Sequence, residues 1–243
     1  MIPPDHPRYR SLVTRELLAD CVRKGIVSIE GLAAHGRGEA FDYIIGERTI
    51  KSALLAERTA AALLLAARHP VISVNGNTAA LAAHEIAALQ KASDALVEVN
   101  LFHRTEERVR LVEDLLRSAG ADVFSGVAER LLPLSHDRAW CRREGMFAAD
   151  VILVPLEDGD RCEALVKMGK TVIALDLIPL SRTARTATLT IVDELTRALP
   201  NITAACTGLT GDEQREFLAN LDNNYLLSEA IREMIKRLSH ALD

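Results

Sequence analysis

Short apolar runs alternate with longer amphipathic stretches through the middle of this chain. The runs PVISVN, ALVEVN, ADVFS, DVILVP, TVIALD and TLTIVD are rich in β-branched residues and predict strands. The segments between them place apolar residues at steps of three and four, which is helical spacing. Strands that are apolar throughout and separated by helices indicate a parallel sheet covered on both faces. We therefore predict an α/β fold with a doubly wound, mostly parallel, Rossmann-like sheet.

Helical patterns also precede and follow this core. A helix near residues 9–24 and an Ala-rich helix near 47–68 are joined by HGRGEAFDY, which we expect to be a Gly-rich loop. After Pro200 the pattern predicts two amphipathic helices, and Thr210 to Glu213 is placed like a capping box. The predicted organisation is an N-terminal helical segment packed on the core (1–67), the Rossmann-like core (68–200) and a C-terminal helical extension (201–243).

Composition narrows the class of protein. The chain has 243 residues, 49% of them hydrophobic, which suits one large domain or a domain with an appendage. A net charge of -5 gives no electrostatic reason to expect nucleic acid or an anionic membrane as a partner. We see no secretion signal and no bilayer-spanning run, so we expect a cytoplasmic protein. The cysteines form no CxxC pair, so neither a zinc site nor a disulfide framework is indicated.

Polar residues of both signs follow the predicted strands. In a parallel sheet, ligands bind outside the carboxyl ends of the strands, so these residues converge on one rim. The rim residues are Asn75, Asn77, His103, Arg104, Glu157, Asp158, Asp160, Asp176, Arg182, Thr183 and Arg185. Such a mixture suits a site for a phosphate ester, a metal ion and a second substrate.

Simpler structural explanations compete with this one. Asn77 or Thr78 is a natural cap for the helix that follows, and Asp160 with Glu163 matches a D-x-x-E capping box. A single histidine such as His103 is more often a surface or packing residue. The functional alternative for Asn-Gly-Asn is that it turns the chain sharply and aims backbone N–H groups at an anion.

Two cationic stretches are harder to explain by packing. In HGRGEAFDY, glycines flank Arg37 with His35 beside it, so the backbone can approach a ligand while the guanidinium makes bidentate contacts. In DLIPLSRTART, Asp176 ends a strand next to the hydroxyls and cations that include Arg182, which suits a nucleotide. Neither GxGxxG nor GxxxxGK[ST] is present.

Taken together, these motifs resemble the archaeal phosphopantothenate synthetases, also called 4-phosphopantoate:β-alanine ligases. The stretches that carry the resemblance are IPPDHPRY, GLAAHGRGEAFDY, PVISVNGNTAAL, EVNLFHRTEERV and ADVILVPLEDGDRCEALVKMGKTVIALDLIPLSRTARTATLTIVD. They run from about residue 2 to 200 and do not cover the tail.

The resemblance implies that ATP, 4-phosphopantoate and β-alanine are converted to 4′-phosphopantothenate, AMP and diphosphate through an acyl adenylate, in coenzyme A biosynthesis. It also implies a homodimer. Carried over by motif, the ATP contacts are Arg15, Arg37, Asp176, Leu177, Ile178, Arg182, Thr183, Glu194 and Leu195. Ile178, Arg185 and His103 depart from the expected pattern, where Asn, Lys and Tyr respectively are expected.

The two phosphorylated substrates bring roughly seven negative charges, so Mg²⁺ and several arginines are needed. We expect catalytic roles for Arg37, His103, Arg104 and Arg185. We expect substrate contacts from His35, Asn75, Asn77, Glu157 and Asp158, and Mg²⁺ binding by Glu157, Asp158 and Asp160. Two other functions remain open on the same fold, a non-catalytic nucleotide-binding regulator and a sugar-phosphate enzyme.

Overall fold

The computed structural model describes residues 2–6, 8–156 and 158–241, and its centre is a parallel sheet. The strands are β1 (Pro70–Val74), β2 (Leu96–Val99), β3 (Glu129–Arg130), β4 (Trp140–Cys141), β5 (Val151–Pro155), β6 (Thr171–Leu175) and β7 (Leu189–Ile191). The sheet has the order β2-β1-β5-β6-β7 with every pair parallel, while β3 and β4 form an antiparallel ribbon. The strand order therefore reverses between β1 and β5.

Helices cover both faces of this sheet. They are α1 (Tyr9–Arg23), α2 (Ile29–Ile45), α3 (Lys51–Ala66), α4 (Gly76–Ser93), α5 (Glu106–Ser118), α6 (Gly159–Lys167), α7 (Arg182–Thr186), α8 (Leu195–Gly208), α9 (Gly211–Ala219) and α10 (Asn223–Ser239). Ile72 and Leu153 point into a core with α1, α3, α4, α5 and α8. Their neighbours Val71 and Ile152 point into a second core with α6 and the ribbon. This alternation confirms the predicted α/β sheet with two covered faces.

The predicted strand ADVFS is wrong. Among the described residues, the segment pairs with the sheet through one isolated parallel bridge between Val123 and Val97, in which the N–H of Phe124 donates to the carbonyl oxygen of Val97 at 2.8 Å. The side chain of Gln90 instead takes both backbone groups of Asp122, donating to its carbonyl oxygen at 2.6 Å and accepting from its N–H at 2.8 Å. Since these groups are satisfied by a side chain, the segment does not extend the sheet.

The prediction of a loop at HGRGEAFDY is also wrong, because the whole stretch lies inside α2. Ser28 caps the start of this helix by accepting from the N–H of Gly31 at 3.1 Å, and Gly46 ends it with a φ of 97°. Such caps stabilise a helix enough to offset interior glycines, which each cost about 1 kcal/mol relative to alanine.

The C-terminal helices follow the pattern that the sequence predicts. Thr210 and Glu213 form the predicted capping box at the start of α9, and α10 follows at Asn223. α8, which precedes them, continues across Pro200. Within the described ranges, no helix is both long and apolar enough to cross a membrane.

A buried charge cluster joins α2, α3 and α8 beneath the end of β7. Arg197 donates to Asp193 at 2.9 Å through Nε and to Asp42 at 3.1 Å through Nη1, and Asn201 donates to Glu57 at 2.9 Å. Glu57 is fully buried, and its Oε1 has no hydrogen-bond partner within the described part of the chain. Burial and the neighbouring Asp193 raise the pKa of Glu57 to about 9. A proton on Glu57 therefore relieves an excess of carboxylates around one guanidinium.

This cluster predicts how stability depends on pH. The folded pKa of Glu57 is raised above its ordinary value of 4.5, so its contribution to the free energy of unfolding is full below that value and declines as pH rises towards 9. Glu57→Gln, which resembles the protonated carboxyl, should remove this decline. Urea unfolding followed by circular dichroism at pH 6 and pH 9 should show a smaller loss of stability in the variant than in the wild type. The exposed Glu216→Gln serves as control, and a Glu57→Gln curve parallel to the wild type would contradict the assignment.

Candidate functional site

A cavity of about 590 Å³ lies at the carboxyl ends of the strands. It extends from the end of β2, past the reversal between β1 and β5, to the end of β6, and the N-terminal half of α2 closes it. The predicted residues that line it are His35, Arg37, Asn75, Asn77, His103, Asp158, Asp176, Leu177, Ile178, Arg182 and Thr183. The structure thus brings most of the predicted site together at the edge of the sheet where ligands are expected.

Asn75 and Asn77 hold the walls of this cavity together. Asn75 is the N-cap of α4, because its Oδ1 accepts from the N–H of Thr78 at 3.0 Å. Its Nδ2 donates to the carbonyl oxygens of Pro155 at 3.0 Å and Leu156 at 3.1 Å, across the strand reversal. Asn77 donates to a carbonyl oxygen of α2 at 2.8 Å. The predicted cap at Asn77 or Thr78 is therefore wrong, since Asn75 takes that role.

The glycines of these elements allow close approach at two points. A Cβ at Gly31 would lie 2.4 Å from Oδ1 of Asn77, and a Cβ at Gly76 would lie 2.3 Å from the carbonyl oxygen of Ile26. Both contacts bring α2 and the preceding loop against the first turn of α4. Gly76 and Asn77, at the start of that turn, line the cavity.

Asp176 organises the end of the cavity that follows β6. Its carboxylate accepts from the N–H of Ile178 at 2.9 Å and from the hydroxyl of Ser181 at 2.5 Å. Burial raises the pKa of Asp176, while these two hydrogen bonds and the charge of Arg37 act in the opposite direction. Ser181 also accepts from the N–H of Ala184 and so caps α7. Asp176 therefore fixes the loop that carries the predicted nucleotide contacts.

The acidic EDGD segment is partly engaged by cations. Glu157, predicted for substrate and Mg²⁺, lies outside the described residues. Asp158 accepts from Nε of Arg138 at 3.2 Å. Asp160 lies 2.8 Å from Nε2 of His136 and 3.6 Å from Nη2 of Arg182.

The predicted Asp160 and Glu163 capping box is wrong. α6 begins at Gly159, and Glu163 pairs with Lys167 instead, at 2.5 Å. Burial raises the pKa of Asp160, but the hydrogen bonds from His136 and backbone N–H groups outweigh it and lower the pKa overall. Asp160 is therefore placed to orient His136 and Arg182 rather than to cap a helix.

The donor set limits how Mg²⁺ could be held. In the described portion of the chain, no group of three or more His, Cys, Asp and Glu side chains forms a metal cage. Mg²⁺ is commonly held by one or two carboxylates together with substrate phosphates. Asp158, which lines the cavity, fits that second arrangement, in which phosphate oxygens complete the coordination, whereas Asp160 does not line the cavity.

Among the predicted residues that the structure describes, six do not line the cavity: Arg15, Arg104, Asp160, Arg185, Glu194 and Leu195. Arg15 forms a bidentate pair with Glu39, with its shortest contact at 2.9 Å. Arg104 pairs with Glu106 at 2.7 Å, and Arg185 is exposed on α7. Glu194 caps α8 through the N–H of Thr196, and Leu195 is buried behind it.

Beside the Arg15 pair, His35 is held largely neutral. Burial lowers the pKa of His35, and the nearby Glu39 only partly offsets this. A neutral imidazole can accept or donate a hydrogen bond in the cavity. His35 is therefore better suited to bind a polar, uncharged group of a substrate than a phosphate.

Sequence reasoning missed two cavity arginines, Arg108 and Arg138. Arg108 belongs to the amphipathic pattern of α5, where it looks like a solvated cation. Arg138 lies in a 3₁₀ turn between the two ribbon strands and does not directly follow a strand of the central sheet, yet it is only 5% exposed. Arg108 lies within EVNLFHRTEERV, one of the stretches that carry the resemblance, but only His103 and Arg104 of that stretch were predicted as site residues. Arg138 lies outside those stretches and reaches the cavity through tertiary packing.

Comparisons with known proteins agree on one family. A family model described as phosphopantothenate/pantothenate synthetase matches residues 52–237. A 4-phosphopantoate–beta-alanine ligase of Methanospirillum hungatei JF-1 is 58% identical over 243 residues, covering 100% of both chains. Proteins of the same name from Methanosarcina mazei and Thermococcus kodakarensis are 54% and 48% identical, covering 98% of this chain and 95% and 94% of theirs.

Proposed function

The chain belongs to the phosphopantothenate/pantothenate synthetase family, and on that premise we propose that it is an ATP-dependent ligase that joins 4-phosphopantoate to β-alanine. The products are 4′-phosphopantothenate, AMP and diphosphate, and the reaction serves coenzyme A biosynthesis. The observation that carries the proposal is the cavity itself, which combines the half-buried acids Asp158 and Asp176, exposed arginines and the start of α4 at the reversal in strand order.

The end of the cavity at β6 suits the nucleotide. Asp176 holds the backbone of Ile178 in place, so a side chain other than Asn at that position still leaves backbone groups for ATP. Arg182 packs over Gly159, where a Cβ would lie 2.6 Å from its Nε, and Arg37 faces the same space from α2. The guanidinium groups of Arg37 and Arg182 can each donate two hydrogen bonds to the oxygens of a polyphosphate.

The arginines of the cavity support the same assignment, although the carboxyl side chains of Glu30, Asp158 and Asp176 line it as well. ATP and 4-phosphopantoate bring roughly seven negative charges at neutral pH. Four arginines among the described residues line the cavity: Arg37, Arg108, Arg138 and Arg182. Mg²⁺, held by Asp158 and by phosphate oxygens, would neutralise further charge when bound.

In the proposed reaction, a carboxylate oxygen of 4-phosphopantoate attacks the α-phosphorus of ATP, and diphosphate leaves. The amine of β-alanine then attacks the acyl carbon of the adenylate, and AMP leaves as the amide forms. Positioning and charge stabilisation carry most of the rate in such a site. Asp158 is our candidate for the ammonium of β-alanine, and His103, 3.6 Å from Glu30 at the cavity mouth, stays a candidate catalytic residue. Arg104 and Arg185 receive no substrate contact in this proposal.

We also propose that the protein is a homodimer. Leu54 and Leu65 lie three helical turns apart on α3 and are 48% and 37% exposed, although the opposite side of that helix is buried. Exposed aliphatic residues on an otherwise buried helix suit a second copy of the chain. Light scattering at micromolar concentration should give twice the chain mass of 26.5 kDa. A monomer mass would contradict the proposal.

The direct test of function is incubation of the purified protein with ATP, Mg²⁺, 4-phosphopantoate and β-alanine. Mass spectrometry should detect the amide, with AMP and diphosphate in equal amounts. ATP binding without turnover would favour a regulator, and turnover that does not need β-alanine would favour a sugar-phosphate enzyme. Either result would contradict the proposed ligase.

Arg37→Ala and Arg182→Ala should each lower kcat/KM for ATP by about 10- to 100-fold, because each removes charged hydrogen bonds to phosphate. Thermal unfolding should change little, since both side chains are exposed. Steady-state kinetics with the exposed Arg215→Ala as control would measure the effect. If either cavity variant keeps the wild-type kcat/KM for ATP, the substituted arginine does not bind phosphate.

A further inference from the structure

α10 is the last helix of the C-terminal extension, and among the described residues that line the cavity none belongs to it. Its buried side chains nevertheless share one apolar cluster with two elements that do line the cavity. The α10 members of this cluster lie on one helix face, at steps of three and four: Leu227, Ala230 and Met234. They pack with Ile45 at the end of α2 and with Ala184 in α7. α10 therefore contacts the two elements that carry Arg37 and Arg182.

Asn223 connects the start of α10 to the segment that carries Arg182. Its Nδ2 donates to the carbonyl oxygens of Ala184 at 3.0 Å and Ala187 at 3.2 Å, which lie in α7 and just after it. Its Oδ1 accepts from the N–H of Thr190 at 2.7 Å, on the edge strand β7. The last carbonyl groups of a helix have no partner inside that helix, so a side chain that donates to them fixes the position of the helix end. Asn223 thereby fixes α7 relative to β7.

Arg237 connects the end of α10 to the end of α2. Its Nε donates to the carbonyl oxygen of Ile44 at 2.9 Å, in the last turn of α2. Gly46 ends that helix, and a Cβ there would lie 2.5 Å from Cζ of Arg237. A cation beside the last carbonyl groups of a helix is favourable because the helix dipole is negative at that end. Arg48, just after α2, also pairs with Glu233 of α10 at 2.6 Å. The last turn of α2 is therefore fixed to α10.

These two attachments lie at opposite ends of one helix. α10 has 17 residues, so it is about 25 Å long. Arg37 precedes the carbonyl group that Arg237 contacts by about two helical turns, and Arg182 is the first residue of α7. Rigid secondary elements carry a displacement from one end to the other. Because a binding group has to stay within about 0.5 Å of its productive position, a change at either attachment should displace a guanidinium from the polyphosphate.

We propose that α10 positions both arginines of the nucleotide site. Asn223 positions Arg182 through α7, and Arg237 positions Arg37 through α2. The inference rests on the proposed function and assigns a role to the C-terminal extension, which lies outside the motifs that resemble the ligase family. Asn223 and Arg237 do not line the cavity, so they are positioning residues and not catalytic residues. Their loss should weaken ATP binding only through the arginine that each one holds in place.

Isothermal titration calorimetry with ATP and Mg²⁺ on the full-length protein tests the proposal without requiring turnover. Asn223→Ala and Arg237→Ala should each raise the Kd of ATP by about three- to tenfold, as expected for the loss of a hydrogen bond. The matched controls are Asn220→Ala and Arg232→Ala, which remove exposed side chains whose hydrogen bonds are to residues no more than four positions away in the chain. Both control variants should keep the Kd within about twofold of wild type.

Double-variant cycles separate positioning from a general loss of stability. If Arg237 acts through Arg37, then adding Arg237→Ala to Arg37→Ala should change the Kd of ATP by less than about twofold. The same result is expected when Asn223→Ala is added to Arg182→Ala. A merely structural role does not need the arginine, so its effect would remain in full. Additive losses in either pair would therefore overturn the proposal.

The remaining outcomes also decide. A wild-type Kd in Arg237→Ala or Asn223→Ala refutes the proposal. If Asn223→Ala does not fold, Asn223→Asp replaces it, because Oδ1 can still accept from Thr190 while the donations to α7 are lost. Weaker ATP binding by that variant, absent when Arg182 is replaced by Ala, supports the proposal, and wild-type binding refutes it. The amide assay on the wild type fails separately if the proposed function is wrong, and the ATP affinities still decide the role of α10.

Discussion

The hydrogen bonds of Asn75 across the reversal in strand order are the constraint on which the site depends. One side chain caps α4 and ties the end of β1 to the carbonyl oxygens that follow β5. The crevice between these strands therefore has fixed walls, and the start of α4 has a fixed direction. The other cavity contacts depend on this arrangement. They include the close contact of Gly76 with the carbonyl oxygen of Ile26, which also accepts a hydrogen bond from Arg108.

The distribution of charge along the cavity follows from the strand order. Arginines lie at both ends, near the exits of β2 and β6, and Asp158 lies between them after β5. A cavity with this pattern suits two anionic substrates that meet in the middle and an ammonium that joins them there. Fixed guanidiniums and helix N–H groups are favourable for such chemistry because they need no reorganisation as charge shifts.

The sequence predicts the sheet and its rim well, because apolar runs and the residues after them are local signals. Prediction from the sequence fails where contacts with residues distant in the chain determine the local structure. HGRGEAFDY lies in a helix that Ser28 and Gly46 cap, and ADVFS does not form a full strand because Gln90 takes the backbone groups of Asp122. Asp160 does not cap α6 and instead forms a hydrogen bond with His136. Arg138 was unpredictable for the same reason, because it reaches the cavity from the turn before β4, whereas Arg108 follows the predicted rim residues His103 and Arg104 in EVNLFHRTEERV and was overlooked.

The central claim is that this cavity brings the carboxylate of 4-phosphopantoate to the α-phosphorus of ATP. Transfer of ¹⁸O from a labelled substrate carboxylate tests it most directly, with the mass of the released AMP as the measurement. The account predicts one labelled oxygen in each AMP, because the bond between oxygen and the acyl carbon breaks when the amine attacks. Unlabelled AMP would contradict it, because the carboxylate would not have attacked the α-phosphorus. Release of ADP and labelled inorganic phosphate would also contradict it and would indicate an acyl phosphate instead.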